Sequence, residues 1–324
     1  MTSSHEEVRT RFLAAMGRGR LHHAWLLYGP SGVGKAELGR HLAGDFLCER
    51  NRGGGGEAAC GACHACRLMA AGSHPDFLLV ERAWDEKNKR HKRDLGVDQV
   101  RAMLDFLSLR GAESERRAAL LSGAELMNAQ AANALLKGLE EPGEGSLLIL
   151  TCADVTRLPA TIRSRCLLAP VRPLDGAACE ARLAAAGMPA DVLPFALRLA
   201  AGRPGRVMAL LEPDIASALM EWDELTRDLG RGDVGRIQAW IAAHVRHAPH
   251  ELIAETALAN ARPALEAPPP DAAAMDALMG AAWRLAAWPE EARRRTLNPA
   301  TSLLAHVLAL RVALRAAGRE AARA

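Results

Sequence analysis

The sequence predicts an α/β P-loop module built on a parallel sheet, followed by all-α segments. Three observations carry this reading. A short apolar run, Ala24–Tyr28, feeds directly into the glycine loop GPSGVGKA at 29–36. Further short apolar runs alternate with stretches of helical spacing as far as Val171, the order that wraps a parallel sheet on both faces. After Pro173 no strand-like run occurs, and apolar residues recur only at helical spacing.

Lys35–Leu47 reads as the helix leaving the glycine loop, which completes the strand–loop–helix context of a phosphate site. Phe77–Val80, Ala118–Leu121, Leu147–Thr151 and Cys166–Val171 read as strands, with helices at Asp98–Leu109 and Asn128–Glu140. Pro170 and Pro173 then punctuate the chain. Asp175–Leu211 reads as a small helical unit ending near Gly202-Arg203-Pro204-Gly205, and from Pro213 the pattern stays helical, broken at Pro268-Pro269-Pro270 and Asn298-Pro299. The last helix, Thr301–Arg315, places Leu304, Val307, Leu308, Arg311 and Leu314 on one stripe that must pack on neighbouring helices or another chain. The expected division is 1–170 for the P-loop module, with a cysteine insert at 48–66, then 171–211 and 212–324. The Gly53–Gly56 run reads as a flexible loop.

A chain of 324 residues has room for two or three such domains. Ala, Leu and Arg are abundant and raise helix propensity everywhere, so pattern rather than propensity places the elements. The net charge of +3 is too small to mark a nucleic-acid binder by itself. The opening MTSSHEEVRTRF has no apolar core of signal-peptide length, and no uninterrupted apolar run approaches the ~20 residues of a membrane span. The expected location is the cytoplasm, with the seven cysteines serving metal rather than disulfides.

Cys60, Cys63 and Cys66 form C-x2-C-x2-C, with Cys48 upstream across the glycine run. Four thiolates gathered this way suit tetrahedral zinc with no open coordination position. Unligated structural cysteines and an iron–sulfur cluster are the other readings; the cluster wants another cysteine three residues on, where Leu68, Met69 and Ala70 stand. His64 reads as exposed, Cys152 and Cys166 as small core residues, and Cys179 lacks metal spacing.

The glycine loop needs Ser or Thr after its lysine to hold Mg²⁺, and Ala36 stands there. Gly29, Gly32, Gly34 and Lys35 still offer backbone N–H groups and one positive charge to phosphate. A hydrolysing site also needs an acidic pair at the end of a later strand; Ala118–Leu121 runs into Ser122 and Gly123, and Glu125, three positions on, is expected to have turned away. The two losses together argue against hydrolysis and against Mg²⁺ in this site, and leave a degenerate, weak or vestigial ATP site.

NALLKGLEEP at 133–142, TIRSRC at 161–166, LGVDQVR and the cysteine insert CGACHACRLMAAGSHPDFLLV behind a P-loop resemble the bacterial clamp-loader AAA+ family. Within that family the match is to the delta-prime subunits of DNA polymerase III. The resemblance runs from about His22 to Leu211, in the right order, and is weaker but compatible in the C-terminal helices. It implies an AAA+ module, a small helical lid and a C-terminal helical collar domain that assembles with other subunits. It also implies partners: gamma/tau ATPase subunits, the clamp-opening delta subunit and, through the complex, a sliding clamp and primer–template DNA. Delta-prime members commonly lack the P-loop Thr and the Asp-Glu pair, as Ala36, Ser122 and Gly123 do here. In the family the Ser-Arg-Cys arginine reaches the nucleotide of the neighbouring ATPase subunit, which makes Arg165 the expected arginine finger in trans. The lid sensor arginine falls in GRPGRVM, with the register open between Gly205 and Arg206, and Thr151-Cys152-Ala153 departs from the paired threonines of active members.

Lys87–Arg93 (KNKRHKR) is the densest basic run, either a solvated loop or a salt-dependent phosphate contact. No aromatic residue interleaves with it, which argues against base stacking. Two further functions compete. An autonomous P-loop ATPase acting on DNA needs metal ligands that Ala36, Ser122 and Gly123 do not supply, and a zinc-dependent DNA-binding module needs more basic residues in the knuckle than Arg67.

Overall fold

Helix α1 (Ser4–Gly17) opens the fold, with Glu6 and Glu7 in its first turn, where carboxylates meet the positive end of the helix dipole. It buries Val8, Phe12 and Met16, one residue per turn. The computed structural model describes residues 4–52, 55–86, 90–91, 94–109, 111–112, 115–266, 271–294 and 298–321. Strand β1 (Ala24–Tyr28) leads through the glycine loop into α2 (Lys35–Leu47), and the cysteine insert carries the short α3 (His64–Ala70). Strand β2 (Phe77–Val80) follows, then a small hairpin of β3 (Trp84–Asp85) and β4 (Arg90–His91) apart from the main sheet. Next come α4 (Val97–Ser108), β5 (Arg117–Leu121), α5 (Ala129–Glu140), β6 (Ser146–Cys152), α6 (Ala160–Arg163) and β7 (Leu167–Pro170).

The main sheet has the order β2-β5-β6-β1-β7, and every pair is parallel. Because side chains alternate along a strand, β1 feeds two cores at once. Trp25 and Leu27 pack with Phe12 of α1 and Leu38, Leu42 and Phe46 of α2. Ala24 and Leu26 face the other side with Val100 and Met103 of α4 and Leu135 and Leu139 of α5. Helix α2 lies so close to the sheet that a Cβ on Gly39 would stand 2.8 Å from Leu120 Cδ1. The register sets Tyr28 level with Cys152 on one side and Pro170 on the other. The carboxyl edge of the sheet is therefore where the glycine loop, the end of β5 and the end of β6 meet, the usual ligand edge of open α/β sheets.

The chain divides into two compact units, Met1–Ala178 and Cys179–Ala324. The division falls within the first turn of helix α7 (Gly176–Ala185). In the second unit α8 (Leu193–Ala200) precedes two 3₁₀ turns, Pro204–Arg206 and Met208–Leu211. Helices α9 (Pro213–Arg227), α10 (Val234–His244), α11 (His250–Glu266), α12 (Ala272–Arg294) and α13 (Pro299–Ala321) complete it. Trp222 stacks on Trp240 with ring centroids 4.5 Å apart. Their indole N–H groups donate to the carbonyls of Ile253 at 2.9 Å and Ala218 at 2.8 Å, so two large buried rings leave no polar atom stranded.

The buried stripe of α13 differs from the predicted one. Leu303, Val307, Leu310, Ala313 and Ala317 face inward, while Leu304, Leu308 and Leu314 lie half-buried on the flank. Val307 and Arg311 belong to both stripes; the others shift because apolar residues lie on several sides of this helix, so their pattern alone does not fix its rotation. Arg311 is 8% exposed, and its Nη1 donates to the Leu229 carbonyl at 2.9 Å and to the Gly232 carbonyl, just beyond α9. By length and composition alone, Pro299–Gly318 could cross a membrane; here the helix packs on α10, α11 and α12.

Candidate functional site

The glycine loop is built as a phosphate cradle. Gly29 has φ +152° and Gly34 φ +91°, and a Cβ on Gly29 would stand 2.0 Å from the Val171 carbonyl oxygen. Lys35, first residue of α2, turns its ammonium back onto the loop, with Nζ donating to the Gly29 carbonyl at 2.6 Å and the Pro30 carbonyl at 2.9 Å. Burial pushes the pKa of this ammonium down, and the nearby Glu125 carboxylate works against that shift. The His5 ring of α1 stands over the loop, its Nε2 3.1 Å from the position of a Gly34 Cβ. Ala36 brings no side-chain oxygen.

Strand β5 runs out into Ser122 and Gly123, without a carboxylate at either position. Gly123 has φ +79°, and its N–H donates to Thr151 Oγ1 at 3.0 Å. Glu125, expected to turn away, instead comes back to the sheet edge. The left-handed Gly123 throws the chain into a 3₁₀ turn, Ala124–Leu126, and Glu125 Oε1 accepts the Ala153 N–H at 3.0 Å at the end of β6. Its Oε2 is buried without a hydrogen-bond partner. Burial pushes the Cys152 thiol up to about 12, with the Glu125 charge adding to it, so Cys152 is a neutral thiol that donates to the Asp154 carbonyl. Spacing alone put Glu125 facing away, because its return depends on the conformation of Gly123.

Arg165 sits between α6 and β7 and is 38% exposed. Its Nη1 donates to the Thr161 carbonyl at 3.1 Å, and Nη2 lies 2.8 Å from Oε1 of Glu140, the last residue of α5. Arg206 pairs with Glu255 of α11. The run Lys87–Arg93 lies outside the described residues apart from Arg90 and His91, whose backbone forms β4.

The four predicted metal ligands come together. Sγ atoms of Cys48, Cys60, Cys63 and Cys66 all lie within 4.8 Å of one another, with Cys48–Cys63 at 4.0 Å and Cys60–Cys66 at 3.9 Å. A tetrahedron with Zn–S bonds of about 2.3 Å has edges of about 3.8 Å, so the set fits a four-coordinate thiolate site. Backbone N–H groups point at the sulfurs: Cys63 N to Cys60 Sγ at 3.3 Å, Cys66 N to Cys63 Sγ at 3.4 Å and Cys60 N to Cys48 Sγ at 3.4 Å. The amides of Ala62 and Cys63 draw the Cys60 thiol down to about 6, which favours the thiolate a metal requires. His64 is exposed at the start of α3 and is no ligand. The knuckle hangs on Asp45 of α2, which accepts the Ala59 N–H at 2.7 Å and a two-pronged ion pair from Arg9 at 2.7 Å. Cys152, Cys166 and Cys179 are separate and buried.

The family described as "DNA polymerase III, delta subunit" matches residues 4–175. "DNA polymerase III subunit delta'" of Pseudomonas aeruginosa is 43% identical over 191 residues, 58% of this chain and 55% of that protein. The protein of the same name from Yersinia pestis is 35% identical over 225 residues, 67% of this chain and 63% of its own length. The chain thus spans little more than half the length of the curated relatives it matches. Among solved structures, a DNA polymerase III gamma subunit-related protein of Thermotoga maritima superposes with a TM-score of 0.51 at 16% identity, covering 94% of this chain and 100% of that one, which supports the fold alone. With the family match covering more than half of the residues, including the whole glycine loop and cysteine insert, the chain belongs to the delta-prime family of DNA polymerase III subunits.

Proposed function

We propose that this chain is a non-hydrolysing clamp-loader subunit, which scaffolds the loader and supplies Arg165 in trans to a neighbouring ATPase subunit. The observation that carries this is a combination on one module: a phosphate cradle at the carboxyl edge of the sheet with no hydroxyl at Ala36 and no carboxylate at Ser122 or Gly123, and a half-exposed Arg165 just before β7, at the sheet's opposite, amino edge. The cradle is already satisfied from within, since Lys35 is bonded to its own loop and faces the charge of Glu125. ATP therefore binds weakly here, and Mg²⁺ lacks the loop hydroxyl at Ala36 and the strand-end carboxylates at Ser122 and Gly123. The gamma/tau ATPase and delta subunits are the partners, with the sliding clamp and primed DNA met through the complex in the cytoplasm. Residues 171–211 serve as the lid and 212–324 as the collar domain. The metal of Cys48, Cys60, Cys63 and Cys66 is zinc and structural, because four thiolates leave no site for a reacting water.

An arginine finger stabilises charge developing on the γ-phosphoryl group and contributes ~10³–10⁵ in rate at the site it completes. In the reconstituted loader, Arg165→Ala is expected to silence that site and reduce clamp loading while the subunits still assemble. Unchanged clamp-stimulated ATP turnover would reject the assignment. ATP turnover by the isolated chain, abolished by Lys35→Ala, would favour the autonomous ATPase instead.

A further inference from the structure

Arg165 does not stand alone. It is held from two sides by groups on α5 and α6, which pack on each other within the first unit. Nη2 meets Glu140 Oε1 at 2.8 Å and Nη1 donates to the Thr161 carbonyl at 3.1 Å. A guanidinium has five N–H donors in one plane. These contacts use two of them, on different nitrogens, so the plane is fixed while three donors are left for a ligand. A long exposed arginine held this way loses less conformational freedom when it engages a phosphate. Glu140 also has its own reason to recruit a cation, because a carboxylate at a helix C-terminus faces the negative end of the dipole.

We infer that Glu140 is the positioning residue for Arg165, orienting its guanidinium toward a phosphoryl group bound by the neighbouring subunit. This rests on the reading that Arg165 acts in trans. Glu140 is 51% exposed and Arg165 38%, so the pair contributes little to folding. Its loss moves a rate and leaves stability alone. Glu141, the next residue, makes no ion pair with Arg165 among the described residues and is the natural control.

The test compares Glu140→Ala, Glu140→Gln, Glu141→Ala, Arg165→Ala and the Glu140→Ala/Arg165→Ala double variant in the reconstituted loader. Glu140→Ala is expected to lower kcat for ATP roughly five- to tenfold with KM unchanged, as for a misoriented transition-state contact. Glu140→Gln, which keeps a hydrogen-bond acceptor, recovers part of that loss. Glu141→Ala matches the unmodified subunit, and the isolated variants unfold at the same temperature as it does. In the Arg165→Ala background, removing Glu140 has no further effect. A normal rate for Glu140→Ala beside an impaired Arg165→Ala overturns this inference and leaves the trans reading standing. An equal loss from Glu140→Ala in both backgrounds overturns it too, since Glu140 would act without Arg165. No effect of Arg165→Ala overturns the trans reading and the inference with it.

Discussion

Gly123 explains why the lost carboxylates are not restored by simple substitution. Its φ of +79° suits glycine, and a Cβ there would meet Leu126 Cδ1 at 2.9 Å. A glutamate at 123 carries a strain of about 1–3 kcal/mol before any chemistry begins. An Ala36→Thr/Ser122→Asp variant, which regains a hydroxyl and one acid but not the second, is expected to show no ATP turnover; Lys35-dependent release of phosphate from the isolated protein would contradict this. At the same scale, Cys66→Ala should leave purified protein with far less than one zinc per chain by elemental analysis, and full zinc would sink the tetrathiolate site. The glycine loop and the cysteine ligands were legible because a few neighbouring residues define each one. Glu125 was not, because its place is decided by one backbone angle two residues earlier.

Elements show a similar divide. The buried strands and α2, α4 and α5 fall within a residue or so of their predicted limits, since each has a strong apolar run or stripe. Helix α1 has only Val8, Phe12 and Met16 to mark its inner face among charged neighbours, and no element was predicted there. Helix α13 was predicted as a helix but with its stripe displaced, because its Ala, Leu and Val residues lie on several sides and their pattern alone leaves the rotation open. Arg311→Met should strand the Leu229 and Gly232 carbonyls and cost about 1–3 kcal/mol, read as a lower denaturant midpoint with an unchanged slope. A wild-type midpoint would show that the carbonyls find other donors. Gly29→Ala tests the join between β1 and the glycine loop. With Val171 O only 2.0 Å from the new Cβ, the loss should reach about 2 kcal/mol or more, and a smaller one would mean that the loop yields.

At the scale of the whole molecule, acid stability depends on a group no motif announced. Burial alone would raise the pKa of Asp223. Arg198 at 2.5 Å, Arg227 at 2.9 Å and Asn260 at 2.9 Å outweigh that and hold its carboxyl below the usual range. A folded pKa below the unfolded one gives stability that is fully present above about pH 4 and lost as the pH falls through the folded value. Urea midpoints should drop between pH 5 and pH 3, and Asp223→Asn should flatten that drop; an equal slope in the variant would place the acid sensitivity elsewhere. The α/β module was legible as a whole because its motifs are local and ordered. The helical unit was legible only as helices, since its packing rests on Trp222, Trp240 and Asp223, which are far apart in sequence.

Helix α2 starts at Lys35, the lysine of the glycine loop, and is followed at once by Cys48, a ligand of the knuckle. Its 13 residues make a straight rod of about 20 Å with a fixed chemical group at either end. Cobalt exchanged into the four thiolates would be a paramagnetic beacon at a known separation from the loop. Its broadening of the phosphorus resonance of added ATP would measure occupancy of the cradle directly, without any need for turnover.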